Sequence, residues 1–202
     1  MRRLAAAPLL AALACSAGAP PAPPFRLDVG RTWTYVDAAG REYRTTVERA
    51  TEINGEPCVV IRGATVGITD DRMQADDVAV VAVRAGVPHL IGVGQESWAM
   101  GARDSIALVR PDAPRGKIWG GRFSGGGETC SVKLTSGGTG ELGVPAGRYL
   151  AHRVVEEWTF RGSPMVTIDN WYADDAGLIR SVYRMHTGNA SPPFALDLKE
   201  VR

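Results

Sequence analysis

Histidine and cysteine are scarce in this chain, with three of each among 202 residues. The histidines, His89, His152 and His186, stand apart from any nucleophile motif; no G-x-S-x-G occurs, and Ser124 reads as loop. A hydrolytic triad needs a nucleophile beside a histidine that an acid holds in place, and the sequence groups no such set. The spacing of His and Cys does not support zinc. Net charge is only +1, which removes the bulk electrostatic basis for binding nucleic acid. No apolar run reaches the roughly 20 residues that a transmembrane helix needs. Long stretches of helical periodicity are missing too. The expectation is a protein that is not an enzyme, with no catalytic residues, no metal and no cofactor.

What the chain does have begins at its start. Met1-Arg-Arg, the apolar run Leu4 to Ala14 interrupted by Pro8, and small residues at a cut site form the layout of an export signal. Two processing routes fit. Ala12-Leu13-Ala14-Cys15 resembles a bacterial lipobox, in which Cys15 is acylated and becomes the mature N-terminus. The same Ala12-Leu13-Ala14 is also an A-x-A site for ordinary cleavage, which yields a soluble periplasmic or secreted protein. Cysteine parity favours lipidation, because it leaves Cys58 and Cys130 as an even pair. Those two either form a disulfide, worth about 4 kcal/mol in the chain-entropy model, or stay as buried thiols. Ser16 after the cysteine, rather than Asp, resembles outer-membrane lipoproteins. The reading is therefore a signal peptide over 1–14, an Ala/Pro-rich tether over 15–24 that its prolines stiffen, and a single β domain over 25–202. Loss of Arg2 and Arg3 with the leader takes the net charge from +1 to −1. Arginine far outnumbers lysine, as a GC-rich genome would produce.

The period of the mature chain is two. Arg31 to Val36 alternates polar and apolar, with Trp33 and Tyr35 on one face, and Asp37-Ala-Ala-Gly40 turns it into Glu42 to Glu48. Asn54-Gly55 marks a tight hairpin into Cys58 to Arg62. Further strands are predicted over Val78 to Arg84, Pro88 to Gly92, Thr129 to Leu134, Arg148 to Phe160, Met165 to Tyr172, Leu178 to Met185 and Phe194 to Val201. In Arg148 to Phe160 neither alternating face is cleanly apolar, which predicts a strand at an edge or facing a partly wet concavity. Only Gln95 to Ala102 reads as a possible short helix. The class is mainly β: a strongly curved antiparallel sheet or half-open barrel of about ten strands, with few or no helices. A weak internal repeat sets Gly30-Arg-Thr-Trp33 against Gly116-Lys-Ile-Trp119, and Ala75 to Val81 against Ala173 to Ile179. It divides the domain into halves 25–108 and 109–202, or is coincidence in an Ala/Asp-rich chain.

Several chemical motifs dissolve on inspection. Asp70-Asp71 and Asp76-Asp77 lack the alternating spacing of a calcium loop and read as turn formers. The runs Gly120-Gly121 and Gly125-Gly-Gly127 precede a strand rather than a helix, so they read as flexible connections, not a phosphate cradle. Glu156 and Glu157 are adjacent on a strand and point to opposite faces, so they cannot flank one bond. Aromatics are the better candidates. Trp33, Tyr35, Trp119, Trp158 and Trp171 are the predicted ligand face, either as core residues or as the lining of a concavity for an acyl chain or sugar ring.

Gly30-Arg-Thr-Trp-Thr-Tyr35 and Trp171-Tyr-Ala-Asp-Asp-Ala-Gly-Leu-Ile179, together with Val144-Pro-Ala-Gly-Arg-Tyr149, resemble motifs of a class of uncharacterised bacterial envelope lipoproteins. The resemblance implies a fold remotely similar to the LolA/LolB lipoprotein carriers, a curved antiparallel sheet around a hydrophobic concavity. This chain lacks the helices that plug that concavity in the carriers. The expected function is a non-catalytic, lipid-anchored protein of the outer membrane that binds a hydrophobic small molecule, a lipid or an envelope protein. The alternative is a secreted or periplasmic module that binds polysaccharide or protein through exposed aromatics.

Overall fold

The alternation of polar and apolar residues closes on itself. The computed structural model describes residues 25–63, 77–95, 98–125, 128–186 and 193–202, and every regular element among them is a β-strand. The signal segment, Cys15, the tether and Asp70, Asp71, Ala75 and Asp76 lie outside the described residues. The strands are β1 (Thr32–Val36), β2 (Glu42–Ile53), β3 (Glu56–Gly63), β4 (Asp77–Arg84), β5 (Val87–Gln95) and β6 (Trp98–Ala107). They continue as β7 (Ile118–Gly125), β8 (Glu128–Val144), β9 (Gly147–Phe160), β10 (Ser163–Ala173), β11 (Gly177–Met185) and β12 (Phe194–Val201). Each pairs antiparallel with the next, and β12 returns to β1 to complete a closed barrel. Closure removes every sheet edge, which is how an all-antiparallel fold avoids exposed ladder groups.

Local chemistry sets the hairpins. Asn54 and Gly55 both take positive φ, 53° and 82°, the conformation of a two-residue hairpin turn whose twist matches the flanking strands. Asp37 turns β1 into β2 by a different device: its Oδ1 accepts from the backbone N–H groups of Ala39 and Arg41, each at 2.9 Å. Inside the wall, Val47, Phe123, Leu134, Val154, Ile179, Leu196 and Leu198 are at most 1 % exposed, and each contributes about 1.5–3 kcal/mol by leaving water.

The structure alters four expectations. There are twelve strands rather than about ten, because β6 and β7 carry too little alternation to be read. The possible helix over Gln95 to Ala102 is instead the end of β5 and the start of β6, with Glu96 and Ser97 outside the described residues. Gly120 and Gly121 lie within β7, and β8 continues through the glycine-rich Ser136 to Gly143 segment with a shift of register between Ser136 and Gly138. Cys58 and Cys130 are not bonded to each other but are separate buried thiols. The reason is parity: Cys130 belongs to the interior cluster, whereas Cys58 alternates with inward-packed Val59 and Ile61 and so faces the other side of the wall. Burial pushes the Cys130 thiol up to about 11 and also raises that of Cys58, so neither is an activated nucleophile.

Each proposed half, 25–108 and 109–202, contains six strands, and Trp33 and Trp119 stand on the first of each. The second match does not keep step, since Val78 to Val81 lies on β4, the fourth strand of its half, and Leu178 and Ile179 on β11, the fifth.

Candidate functional site

The barrel interior is not filled. A cavity of about 120 Å³ is lined mostly by apolar side chains of β1 to β5 and β9 to β11, among them Trp33, Tyr35, Leu90, Trp158, Ile168 and Tyr172. Phe25 and Leu27, the first residues of the domain, also line it, and Phe25 sets its edge against Tyr172 with ring centroids 6.1 Å apart. Trp33 and Tyr35 are fixed by their polar ends. The Trp33 indole donates to the Ala176 carbonyl at 2.7 Å and the Tyr35 hydroxyl to the Leu178 carbonyl at 2.9 Å. Both bonds reach past β12 to the start of β11.

One polar cluster interrupts this lining. Glu156 is 4 % exposed, and its Oε2 accepts from Trp158 Nε1 at 2.9 Å. Its Oε1 accepts from Asn170 Nδ2 at 2.7 Å and, more weakly, from the Tyr172 hydroxyl at 3.5 Å. Asn170 is aimed by Ser181, whose hydroxyl donates to Asn170 Oδ1 at 2.6 Å. Register brings the group together: Ile168 faces Glu156 across β9 and β10, and Asn170 faces Ser181 across β10 and β11. The mixed character of the β9 strand corresponds to a polar cluster inside the barrel. Glu157 points the other way, as expected, and pairs with Lys133.

Burial holds the Glu156 carboxyl above the ordinary glutamate range, with the hydrogen bonds from Trp158, Asn170 and Tyr172 pulling the other way. Tyr172 and Tyr183 are titratable groups that interact with it, and burial raises both of them as well. The folded protein therefore holds the Glu156 proton more tightly than the unfolded chain does. That contribution to stability is complete below the unfolded carboxyl range, near 4.5, and is lost as pH rises through the folded value. Glu156→Gln cannot ionise but lacks one acceptor, a penalty that is the same at every pH. The thermal midpoint of the variant relative to wild type is expected to improve steadily as pH rises from about 4 to about 8. A difference that stays flat across that range, followed by circular dichroism, would show that Glu156 titrates alike in both states.

Of the predicted ligand face, Trp33, Tyr35 and Trp158 line the cavity. Trp119 and Trp171 do not. The Trp119 indole donates to the Ala107 carbonyl at 2.7 Å and Arg110 lies over its ring. Trp171 alternates with the inward Asn170 and Tyr172, so it faces outward, where Arg153 and Arg180 of the neighbouring strands lie over its ring at 5.4 and 5.8 Å. Asp169, 3 % exposed, takes two hydrogen bonds from Arg153. Glu156, Asn170 and Ser181 were missed as site residues by sequence reasoning. The one available signal was Glu156 lying in step with Val154 and Trp158 on the strand's apolar side.

The histidines are dispersed. His89 contacts the Val87 carbonyl and His186 the Thr167 hydroxyl. His152 lies between the Thr139 hydroxyl, 2.9 Å from Nδ1, and the Asp174 carboxylate, 3.5 Å from Nε2. Thr139 and Asp174 are solvent-exposed, and none of the three lines the cavity. Among the described residues no group of three or more His, Cys, Asp or Glu is placed to hold a metal ion.

No protein-family model matches the chain, and no curated protein resembles it significantly in sequence. Solved structures do share its architecture. A Bacteroides fragilis protein with a YmcC-like fold is similar over 88 % of this chain and 98 % of its own, at 14 % identity and a TM-score of 0.51. A candidate lipoprotein from Parabacteroides distasonis is similar over 89 % of this chain and 98 % of its own, at 10 % identity and a TM-score of 0.43. The hypothetical lipoprotein YmcC from Escherichia coli follows over 86 % and 88 %, at 13 % identity and a TM-score of 0.41. The first of these places the chain in the YmcC-like fold, a likeness of architecture alone.

Proposed function

We propose that this protein is a non-catalytic, lipid-anchored envelope protein whose barrel interior holds an apolar ligand. The observation that carries the reading is the cavity of about 120 Å³ inside a closed wall, lined by apolar side chains with one small polar cluster. Sites of this kind bury an apolar body and orient it with a few convergent polar groups. An apolar cavity of about 150 Å³ admits benzene, so the space suits one ring or a short chain. The export signal and Cys15 supply the address, an acylated N-terminus at the outer membrane.

Two experiments test the two parts. Toluene titrated calorimetrically into the purified protein is expected to bind with a negative heat-capacity change, the mark of buried apolar surface. No binding heat, together with native mass spectra free of any co-purifying apolar molecule, would overturn the ligand. For the address, Cys15→Ala or globomycin is expected to leave an unprocessed precursor; unchanged processing and a soluble product would overturn the lipid anchor.

A further inference from the structure

Among the described residues that line the cavity Glu156 is the one carboxylate, and no arginine, lysine or histidine stands beside it there. Its bonding partners, Trp158, Asn170 and Tyr172, are all neutral donors. They orient the group without balancing a charge. A carboxylate offers about four acceptor positions; Oε1 uses two and Oε2 one, so the open position is on Oε2. Burying an ionisable carboxyl without a cation is costly, and an apolar side chain of similar size would fill the place at less expense. Ser181, Asn170, Tyr172 and Trp158 nonetheless hold it from three strands, in an orientation set before any ligand arrives.

The complement of this site is an apolar body that carries a positive charge. We propose that the cavity takes a small apolar amine, its ammonium seated on Glu156 and its hydrocarbon part against Trp33, Leu90 and Ile168. This rests on the reading of the barrel as an apolar-ligand site and narrows it to one chemical class. An ammonium supplies both the missing counter-charge and a donor for the open Oε2 position. The same geometry works against fatty acids and other apolar anions, which would bring a second negative charge to an uncompensated carboxylate.

The test uses four probes of one shape: benzylamine, benzyl alcohol, toluene and benzoate, titrated calorimetrically into the purified protein at neutral pH. Benzylamine is expected to bind at least tenfold more tightly than toluene or benzyl alcohol, with benzoate weakest. Glu156→Gln is expected to lower benzylamine affinity at least tenfold and to leave toluene within twofold. Equal binding of benzylamine and toluene by wild type would overturn the amine while leaving the apolar site standing. Preference for benzyl alcohol would do the same and assign a neutral donor instead. If none of the four binds, the apolar-ligand reading itself falls and the amine with it. Should Glu156→Gln fail to fold, the wild-type ranking of the four probes decides the matter alone.

Discussion

Replacing Trp158 by alanine is expected to lower the unfolding free energy by about 3–5 kcal/mol, the usual range for removing a large buried aromatic. Two losses coincide at this position. The indole is 3 % exposed and stacks on Phe123, with centroids 5.5 Å apart and planes 24° from parallel, so its removal opens a void that the closed wall cannot collapse to fill. Its N–H also supplies the only hydrogen bond to Glu156 Oε2 among the described residues. Trp158→Phe separates the two, keeping most of the ring contact and losing the donor; it is expected to cost about 1–3 kcal/mol. Urea unfolding measures both variants. If alanine cost no more than phenylalanine, packing against Phe123 would not be what makes this position costly.

The second large effect is expected at Gly120. A Cβ there would lie 2.1 Å from the Val132 carbonyl oxygen on β8, a backbone atom with no freedom to swing aside. Gly120→Ala must therefore push β7 from β8, at a cost of about 2–3 kcal/mol or more. Gly140, also on β8, provides the comparison. A Cβ there meets nothing within 4 Å, and Gly140→Ala is expected to stay within about 0.5 kcal/mol of wild type. Equal urea midpoints for the two variants would mean that β7 and β8 separate without loss.

Gly120 also shows where the sequence was legible and where it was not. Period-two stretches such as Arg31 to Val36 declared themselves as strands because polar and apolar side chains alternate along them. Ile118 to Gly125 did not, since three of its eight residues are glycine and leave no pattern to read. Gly120 serves a close backbone approach, which only the partner strand explains. The same limit governs the site. Trp33, Tyr35 and Trp158 were readable as aromatic residues on strands, whereas Trp171 is equally aromatic and sits one step out of phase, on the outer wall. Glu156 looked like half of an acidic pair with Glu157. What makes it distinctive is the arrival of Asn170, Tyr172 and Ser181 from β10 and β11, and that depends on a register no single strand encodes. The cysteines were open for a related reason: the sequence allowed either a disulfide or two buried thiols, because it does not show the side of the wall on which each one falls.

The order of pairing around the wall has a mechanical consequence. Every strand pair but one joins neighbours in the chain, so most loop-closure entropy is divided among short hairpins, and one long-range contact, β1 with β12, shuts the ring. That contact brings the ends of the domain into register, with Thr32 and Arg202 exchanging backbone hydrogen bonds at 2.8 and 2.9 Å. Diametrically opposite, β6 and β7 meet, among the described residues, through Gly101 with Ser124 and Ala102 with Phe123. The barrel is thus a clamshell of two six-stranded valves with seams on opposite sides.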